Sequence, residues 1–122
     1  MDIKLFDSEL KVMEVLWQHG EMPAKQISQI LNAEIGWNKN TTYTIIKRCI
    51  EKEAILRVDP NFVCRPLIKK EEVQEFETDS LIDKMFSGSV DLLFASLIGR
   101  KKLSDNAVEK LKSIIDEAGS DE

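Results

Sequence analysis

Residues 37–49, with the sequence WNKNTTYTIIKRC, combine short polar side chains with cations and contain no Asp or Glu. The amide and hydroxyl groups of Asn, Thr and Tyr donate and accept hydrogen bonds, whereas Lys and Arg only donate and carry positive charge. These groups suit non-covalent contacts with a polar or anionic surface. The segment is therefore a candidate binding surface for an anionic partner.

The remaining residue types argue against catalysis and metal binding. The single histidine, His19, has no acid, Ser or Cys placed to suggest a triad, and the chain contains no Gly-rich phosphate loop. Cys49 and Cys64 do not form a close ligand pair, so we interpret them as small buried residues in a reducing compartment. We expect no enzymatic activity, no metal and no cofactor.

Charge is distributed unevenly over the 122 residues, whose formal net charge is −5. Residues 38–70 carry eight Lys or Arg and three Asp or Glu, whereas residues 71–122 carry six and thirteen. This asymmetry indicates an anionic partner for the basic segment and another task for the acidic one. The longest apolar run is far shorter than the roughly 20 residues of a spanning helix, and the N-terminus lacks a signal-peptide core. We expect a cytoplasmic protein without membrane insertion.

Three helices are predicted before residue 54. Ser8 is expected to cap the first helix, and Gly20 to stop it. Pro23 is expected at the start of the second helix, because a first-turn proline loses no needed N–H. Asn38 is expected to cap the third, which should run to about Glu53.

A β-hairpin is predicted next, from two β-prone runs around the turn triplet at residues 59–61. Pro66 indicates that the second strand ends there or lies at a sheet edge. Three helices followed by a hairpin are the order of a winged helix-turn-helix domain.

On a helical wheel the third helix has two different sides. Thr42, Ile45, Ile46, Cys49 and Ile50 must face the core. The opposite side carries short polar residues and then cations, a distribution suited to the DNA major groove. We assign base contacts to Asn40, Thr41, Tyr43 and Thr44 and phosphate contacts to Lys39, Lys47, Arg48, Arg57 and Arg65. Of these, Arg57 and Arg65 lie on the hairpin, which can supply them together with Asn61 to the DNA backbone or minor groove. Asn38, the expected cap of the third helix, is also assigned to the DNA-binding residues.

Two alternatives to that assignment remain open. The polar side of the third helix could simply be a solvated surface, or the winged helix could bind another protein and no DNA. Binding that weakens steeply with added salt would favour DNA.

Three short amphipathic helices are predicted for residues 71–122. The first begins near Lys69, with residues 78–80 as an interruption or kink; Ser89 caps the second and Ser104 the third. Such helices are too small to bury a core alone, so we expect a homodimer, with packing inside one subunit as the alternative. The residues assigned to the shared core are Phe76, Leu81, Met85, Phe86, Leu92, Leu93, Phe94, Leu97, Leu111, Ile114 and Ile115, of which Met85, Phe86 and Phe94 could instead line a small-molecule pocket.

Several motifs in both halves of the chain carry a family resemblance. They are SELKVMEVLW, ISQILN, WNKNTTYTIIKR and FSGSVDLLFASLI followed by LSDNAVEKLKSII. With these motifs the chain resembles the penicillinase repressor family, the BlaI/MecI type of transcriptional regulator. The resemblance implies a mainly α-helical protein with a winged helix DNA-binding domain at residues 1–70 and a helical dimerisation domain at residues 71–122.

The resemblance also implies repression by a dimer that occupies a palindromic double-stranded DNA operator. In one branch of the family, a membrane sensor protease cuts the repressor between an Asn and a Phe in the dimerisation region, which releases the DNA. Ser96 and Leu97 stand at the aligned position here, so the dipeptide differs. Asn40 stands where Lys or Arg is common in the family, and Tyr43 occupies a variable position. The operator sequence therefore need not be the one usual for the family.

Overall fold

The computed structural model describes residues 4–120, in which six α-helices accompany one three-stranded antiparallel sheet. The chain divides into two compact units between Glu77 and Thr78. Along the chain the elements are α1 (Asp7–His19), β1 (Met22–Pro23), α2 (Ala24–Ile35), α3 (Lys39–Glu51), β2 (Ile55–Val58), β3 (Val63–Pro66), α4 (Lys70–Met85), α5 (Val90–Gly99) and α6 (Asp105–Ser120).

The N-terminus of α1 differs from the prediction that Ser8 caps it. The helix begins at Asp7, and Phe6 occupies the cap position. The amide of Phe6 donates to Oε1 of Glu9 at 2.8 Å, which is the return half of a capping box. The Ser8 prediction was wrong because Glu9 reaches back to Phe6 and fixes the helix start before Ser8. Gly20 ends the helix with φ 88°, as expected.

The second and third helices begin and end close to the predicted positions. Pro23 immediately precedes α2, and Gly36 ends it in the left-handed conformation at φ 74°. Oδ1 of Asn38 accepts from the amide of Thr41 at 2.8 Å, so the predicted cap of α3 is confirmed. Nδ2 of Asn32 donates to the carbonyl of Trp37 at 3.1 Å and thereby closes the turn between the two helices.

The predicted hairpin is present, but it belongs to a sheet with one more strand. The strand order is β1-β3-β2, so β3 is the central strand. Its residue Cys64 lies opposite Met22 of β1 on one side and opposite Arg57 of β2 on the other. Because β3 is central, the edge-strand alternative for Pro66 was wrong, while the alternative that the strand ends at Pro66 is confirmed. Two residues of β1 are too few to give a recognisable alternating pattern.

The core of the first unit lies between α1, α2, α3 and the sheet. Trp17 ties α1 to the segment before α4, since its Nε1 donates to the carbonyl of Ile68 at 3.0 Å. The core includes Val12, Met13, Leu16, Ile27, Leu31, Ile46, Cys49, Ile55, Cys64 and Val73. Three polar residues, Glu9, Ser28 and Thr42, are also buried in this unit. Thr42 is fully buried, and its hydroxyl has no hydrogen-bond partner. Glu9 forms an ion pair with Lys52.

In the C-terminal part of the chain, α4 runs without a break through residues 78–80. The predicted interruption was wrong, because Thr, Asp and Ser lower helix propensity only slightly when neither Pro nor Gly accompanies them. The predicted caps are confirmed: Oγ of Ser89 accepts from Leu92, and Oγ of Ser104 accepts from Ala107.

The apolar residues of α5 and α6 are at most half-buried within a single chain. No residue of α5 is buried. Of the residues assigned to the shared core, the exposed ones are Leu81, Met85, Leu92, Phe94, Ile114 and Ile115, and the half-buried ones are Phe76, Phe86, Leu93, Leu97 and Leu111. No helix in residues 4–120 combines the length and the apolarity needed to cross a membrane.

Candidate nucleic-acid interface

The two sides of α3 are separated as the helical wheel predicts. Thr42, Ile45, Ile46 and Cys49 are buried and attach the helix to the core of the first unit. The other side is exposed along its whole length and contains Lys39, Asn40, Thr41, Thr44, Lys47 and Arg48. The helix is thus anchored by one side and presents a surface without a carboxylate until Glu51.

The N-terminus of α3 is capped and electropositive. The Asn38 side chain accepts from Thr41, and the Asn38 carbonyl accepts from the amide of Thr42 at 3.2 Å. These bonds leave the amides of Lys39 and Asn40 for an outside acceptor, at the end where the helix dipole is positive. The Asn38 side chain fixes the start of the helix, and its assignment to the DNA-binding residues stays a prediction.

Thr44 is already hydrogen-bonded within its own helix. Its Oγ1 donates to the carbonyl of Asn40 at 2.9 Å. The hydroxyl hydrogen is used by this bond, so Thr44 can offer a partner only oxygen lone pairs and its methyl group. A shallow depression lined by Asn38, Asn40, Thr41, Thr44, Ile45 and Arg48 lies on the same side of the helix.

The cations of α3 and those of the sheet differ in their pairing. Within residues 4–120, Lys39, Lys47 and Arg48 form no ion pair. In the sheet, Nε of Arg57 lies 3.1 Å from Oδ1 of Asp59, and Nε of Arg65 lies 2.8 Å from Oε2 of Glu21. Sequence reasoning missed the second pair, because 44 positions separate its members.

We use "wing" for residues 55–66, which comprise β2, β3 and the turn between them. A cluster of cations and aromatic rings connects the wing to α3. The rings of Tyr43 and Phe62 meet edge to face, with centroids 5.7 Å apart and planes at 89°. The ammonium of Lys39 lies 5.5 Å from the centroid of the Tyr43 ring. The guanidinium of Arg57 lies 3.8 Å from the centroid of the Phe62 ring.

Asn61 and Phe62 lie at the tip of the wing, and both have a positive φ, 75° and 50°. Asn61 is exposed there, as expected of a wing contact, whereas Phe62 is half-buried. Sequence reasoning did not single out Phe62. The available signal was a large aromatic residue placed directly after a turn triplet.

The two cysteines are buried thiols. Both are fully buried, and burial raises the pKa of Cys49 to about 12 and that of Cys64 to about 11. The raised pKa disfavours the reactive thiolate form, as is typical of structural cysteines. The described part of the chain also holds no group of three or more His, Cys, Asp or Glu side chains placed to bind a metal ion.

The chain is similar to a known protein family and to several of its members. The family model described as penicillinase repressor matches residues 5–117. The chain is 24% identical over 116 residues to the penicillinase repressor of Bacillus licheniformis, covering 93% of this chain and 91% of the relative. It is 24% identical over 120 residues to the methicillin resistance regulatory protein MecI of Staphylococcus aureus strain N315, covering 94% and 98%.

A solved structure also resembles this chain. The solution structure of the DNA-binding domain of the repressor BlaI aligns with a TM-score of 0.54 and 27% identity, over 59% of this chain and 90% of that domain. This likeness confirms the expected fold class, a mainly α-helical protein with a winged helix-turn-helix unit. The matching family is described as one of repressors, which agrees with the expectation that the chain is not an enzyme.

Proposed function

Because the chain belongs to the penicillinase repressor family, we propose that it is a dimeric DNA-binding transcriptional repressor that occupies a palindromic operator through α3. The observation that carries the proposal is the exposed side of α3, which has no carboxylate before Glu51, while the opposite side anchors the helix to the core. The proposal also assigns DNA binding to residues 1–70 and dimerisation to residues 71–122. The protein would act on DNA in the cytoplasm.

In this proposal the first turns of α3 contact DNA bases, and the surrounding cations bind the phosphates of the DNA backbone. Asn40, Thr41, Tyr43 and Thr44 contact base edges in the major groove, where amides, hydroxyls and methyl groups distinguish base pairs. Thr44 contributes as an acceptor or through its methyl group, since its hydrogen is used within the helix. The phosphate contacts are those of Lys39, Lys47, Arg48, Arg57 and Arg65, with Asn61 reaching the backbone or minor groove from the wing.

The uncovered apolar residues of α4, α5 and α6 support the homodimer. Met85 is 70% exposed, Leu92 52% and Ile115 65%, although residues of these types are usually buried. A second copy of the chain would cover the same residues on both subunits, as a two-fold interface requires. A two-fold protein also matches a palindromic operator.

The inducing step is the part of the proposal that rests on family resemblance alone. A membrane sensor protease would cut α5 between Ser96 and Leu97, both of which are half-buried. A cut at this bond would separate α6 from the rest of the chain and so weaken the dimer. The Ser-Leu dipeptide implies a protease whose specificity differs from that of the branch in which an Asn-Phe bond is cut.

The test is binding to a fluorescent promoter duplex, followed by anisotropy at increasing salt concentration. The affinity should fall steeply as salt rises, with a slope set by the number of neutralised phosphates. Arg48→Gln should weaken binding to all duplexes about equally and reduce the slope by about one. Arg48→Lys keeps the charge and should retain most of the slope.

Lys11→Gln is the matched control, because Lys11 is an exposed cation on α1 outside the proposed interface. It should leave the affinity within about twofold of wild type. A wild-type protein that does not bind the duplex even at low salt would refute the proposal and favour a winged helix that binds proteins only.

A further inference from the structure

We infer that Phe62 is a positioning residue for base recognition: it holds the Tyr43 ring in place and so sets which base pairs α3 reads. The inference rests on the proposed function, since it concerns how the same surface selects a DNA sequence. Phe62 is not itself assigned to DNA.

Phe62 is connected to three elements at once. Its ring meets the Tyr43 ring of α3 edge to face and lies under the Arg57 guanidinium of β2. Its carbonyl accepts from the amide of Ala24, the first residue of α2, at 2.9 Å. The wing tip is therefore attached both to the helix that would read bases and to the helix that precedes it.

The backbone at this position is one that bulky residues rarely adopt. Phe62 has a φ of 50°, in the left-handed region that favours glycine and asparagine. A large aromatic residue in that conformation carries a local energetic cost, which its contacts with Tyr43 and Arg57 offset.

Tyr43 is restrained from two sides. The Phe62 ring contacts it edge to face, and the ammonium of Lys39 lies 5.5 Å from its ring centroid. Within the described residues its hydroxyl makes no hydrogen bond, so this group stays available to a base edge or a phosphate. A tyrosine with a fixed ring and a free hydroxyl can contact a base edge without first losing side-chain freedom.

The sequence specificity should therefore depend on Phe62 more strongly than the non-specific affinity does. Non-specific binding follows the number of cations, which substitutions at Phe62 do not change. Specific binding follows the placement of the reading side chains, which the edge-to-face contact maintains. An aromatic pair of this kind corresponds to a preference of roughly three- to tenfold.

The experiment compares wild type, Phe62→Tyr, Phe62→Leu and Phe62→Ala in the full-length chain. The wild-type protein first selects a duplex from a random-sequence library, and a scrambled duplex of the same composition is the non-specific probe. Each variant is titrated against both duplexes and against single base-pair substitutions of the selected one, with Tyr43→Phe in parallel. Thermal melting verifies folding, and Phe62→Leu decides the matter if Phe62→Ala does not fold.

Phe62→Leu should lower the ratio of selected to scrambled affinity about three- to tenfold, while the affinity for the scrambled duplex stays within about twofold. The lost preference should fall at the same base pairs at which Tyr43→Phe loses it, and Phe62→Tyr should retain the wild-type ratio. A purely structural role would not reproduce that positional pattern.

An unchanged ratio in Phe62→Leu, or a loss at base pairs unrelated to Tyr43, would overturn the inference while leaving the proposed function intact. A wild-type protein that selects no duplex would overturn the proposed function, and this inference with it.

Discussion

Arg65 and Glu21 form an ion pair, with Nε of the arginine 2.8 Å from Oε2 of the glutamate. The pair links the central strand of the sheet to the residue just before β1. Both side chains are about half exposed, so DNA phosphate can compete with the carboxylate for the guanidinium. The cation assigned to the DNA backbone is therefore already partly neutralised by the protein itself.

Replacing Glu21 with Gln should strengthen DNA binding, because it removes a carboxylate that competes with phosphate for Arg65. A gain of about two- to fivefold is expected from the strength of exposed ion pairs, with a steeper salt dependence. Glu14→Gln is the matched control, since Glu14 forms an equally exposed pair with Lys70 at 3.2 Å, outside the proposed interface. Equal gains in both variants would indicate a general charge effect and contradict the specific role of Glu21.

Replacing Thr42 with Val should stabilise the protein. Thr42 is fully buried and its hydroxyl has no partner, so valine keeps the shape and removes an unsatisfied polar group. We expect the free energy of unfolding to rise by about 1 kcal/mol, measured by chemical denaturation. Thr42→Ser keeps the hydroxyl, loses a methyl group and should destabilise instead. Unchanged or lower stability in the valine variant would mean that the hydroxyl is satisfied in solution.

Removing residues 78–122 should leave a folded monomer with poor operator affinity. The fragment 1–77 keeps Val73, which is 4% exposed in the core of the first unit. Sedimentation should show a monomer, and affinity for the selected duplex should fall about 100-fold or more, because two linked half-sites bind more tightly than one. Undiminished binding by the fragment would contradict the dimer proposal.

The fragment 1–70 is the control for where the first unit ends. It lacks Val73, and burying a valine stabilises a protein by about 1.5–3 kcal/mol. Fragment 1–70 should therefore unfold at a lower denaturant concentration than fragment 1–77. Equal stability of the two fragments would show that α4 contributes nothing to the first unit.

Stability should decrease at alkaline pH because of the two buried thiols. Burial raises the pKa of Cys49 from 9.0 to about 12 and that of Cys64 to about 11. The folded state therefore favours the neutral thiols, and the unfolded chain ionises first. This contribution to stability is complete below pH 9 and is lost as the pH rises towards 11–12.

Denaturant titrations from pH 8 to pH 11 should follow this decrease in the free energy of unfolding. In Cys49→Ala the decrease should be shallower, although the variant is less stable overall because of the cavity. An identical pH dependence in wild type and variant would show that the Cys49 thiol does not contribute.

The elements that could be predicted from the sequence are those specified by neighbouring residues. The Asn38 cap and the spacing of Thr42, Ile45, Ile46 and Cys49 predicted α3 and its buried side correctly, because cap and periodicity are local. The predicted start of α1 at Ser8 was wrong, because a hydrogen bond from the Phe6 amide to the Glu9 carboxylate fixes the helix start at an earlier residue.

Contacts between residues far apart in sequence could not be predicted. The bond between Arg65 and Glu21, the third strand, and the meeting of Phe62 with Tyr43 each depend on how the wing folds back on the helices. The individual DNA contacts on α3 and the shared core of α4, α5 and α6 remain predictions, because each depends on a second molecule.

Trp37 immediately precedes Asn38 and is held there by the hydrogen bond from Asn32 to its carbonyl. The chain therefore contains an intrinsic fluorophore one residue from the cap of the helix assigned to DNA. Its emission can report occupancy of that surface without any attached dye. The other indole, that of Trp17, lies on α1 and is hydrogen-bonded to Ile68. Replacing Trp17 with Phe would isolate the signal of Trp37.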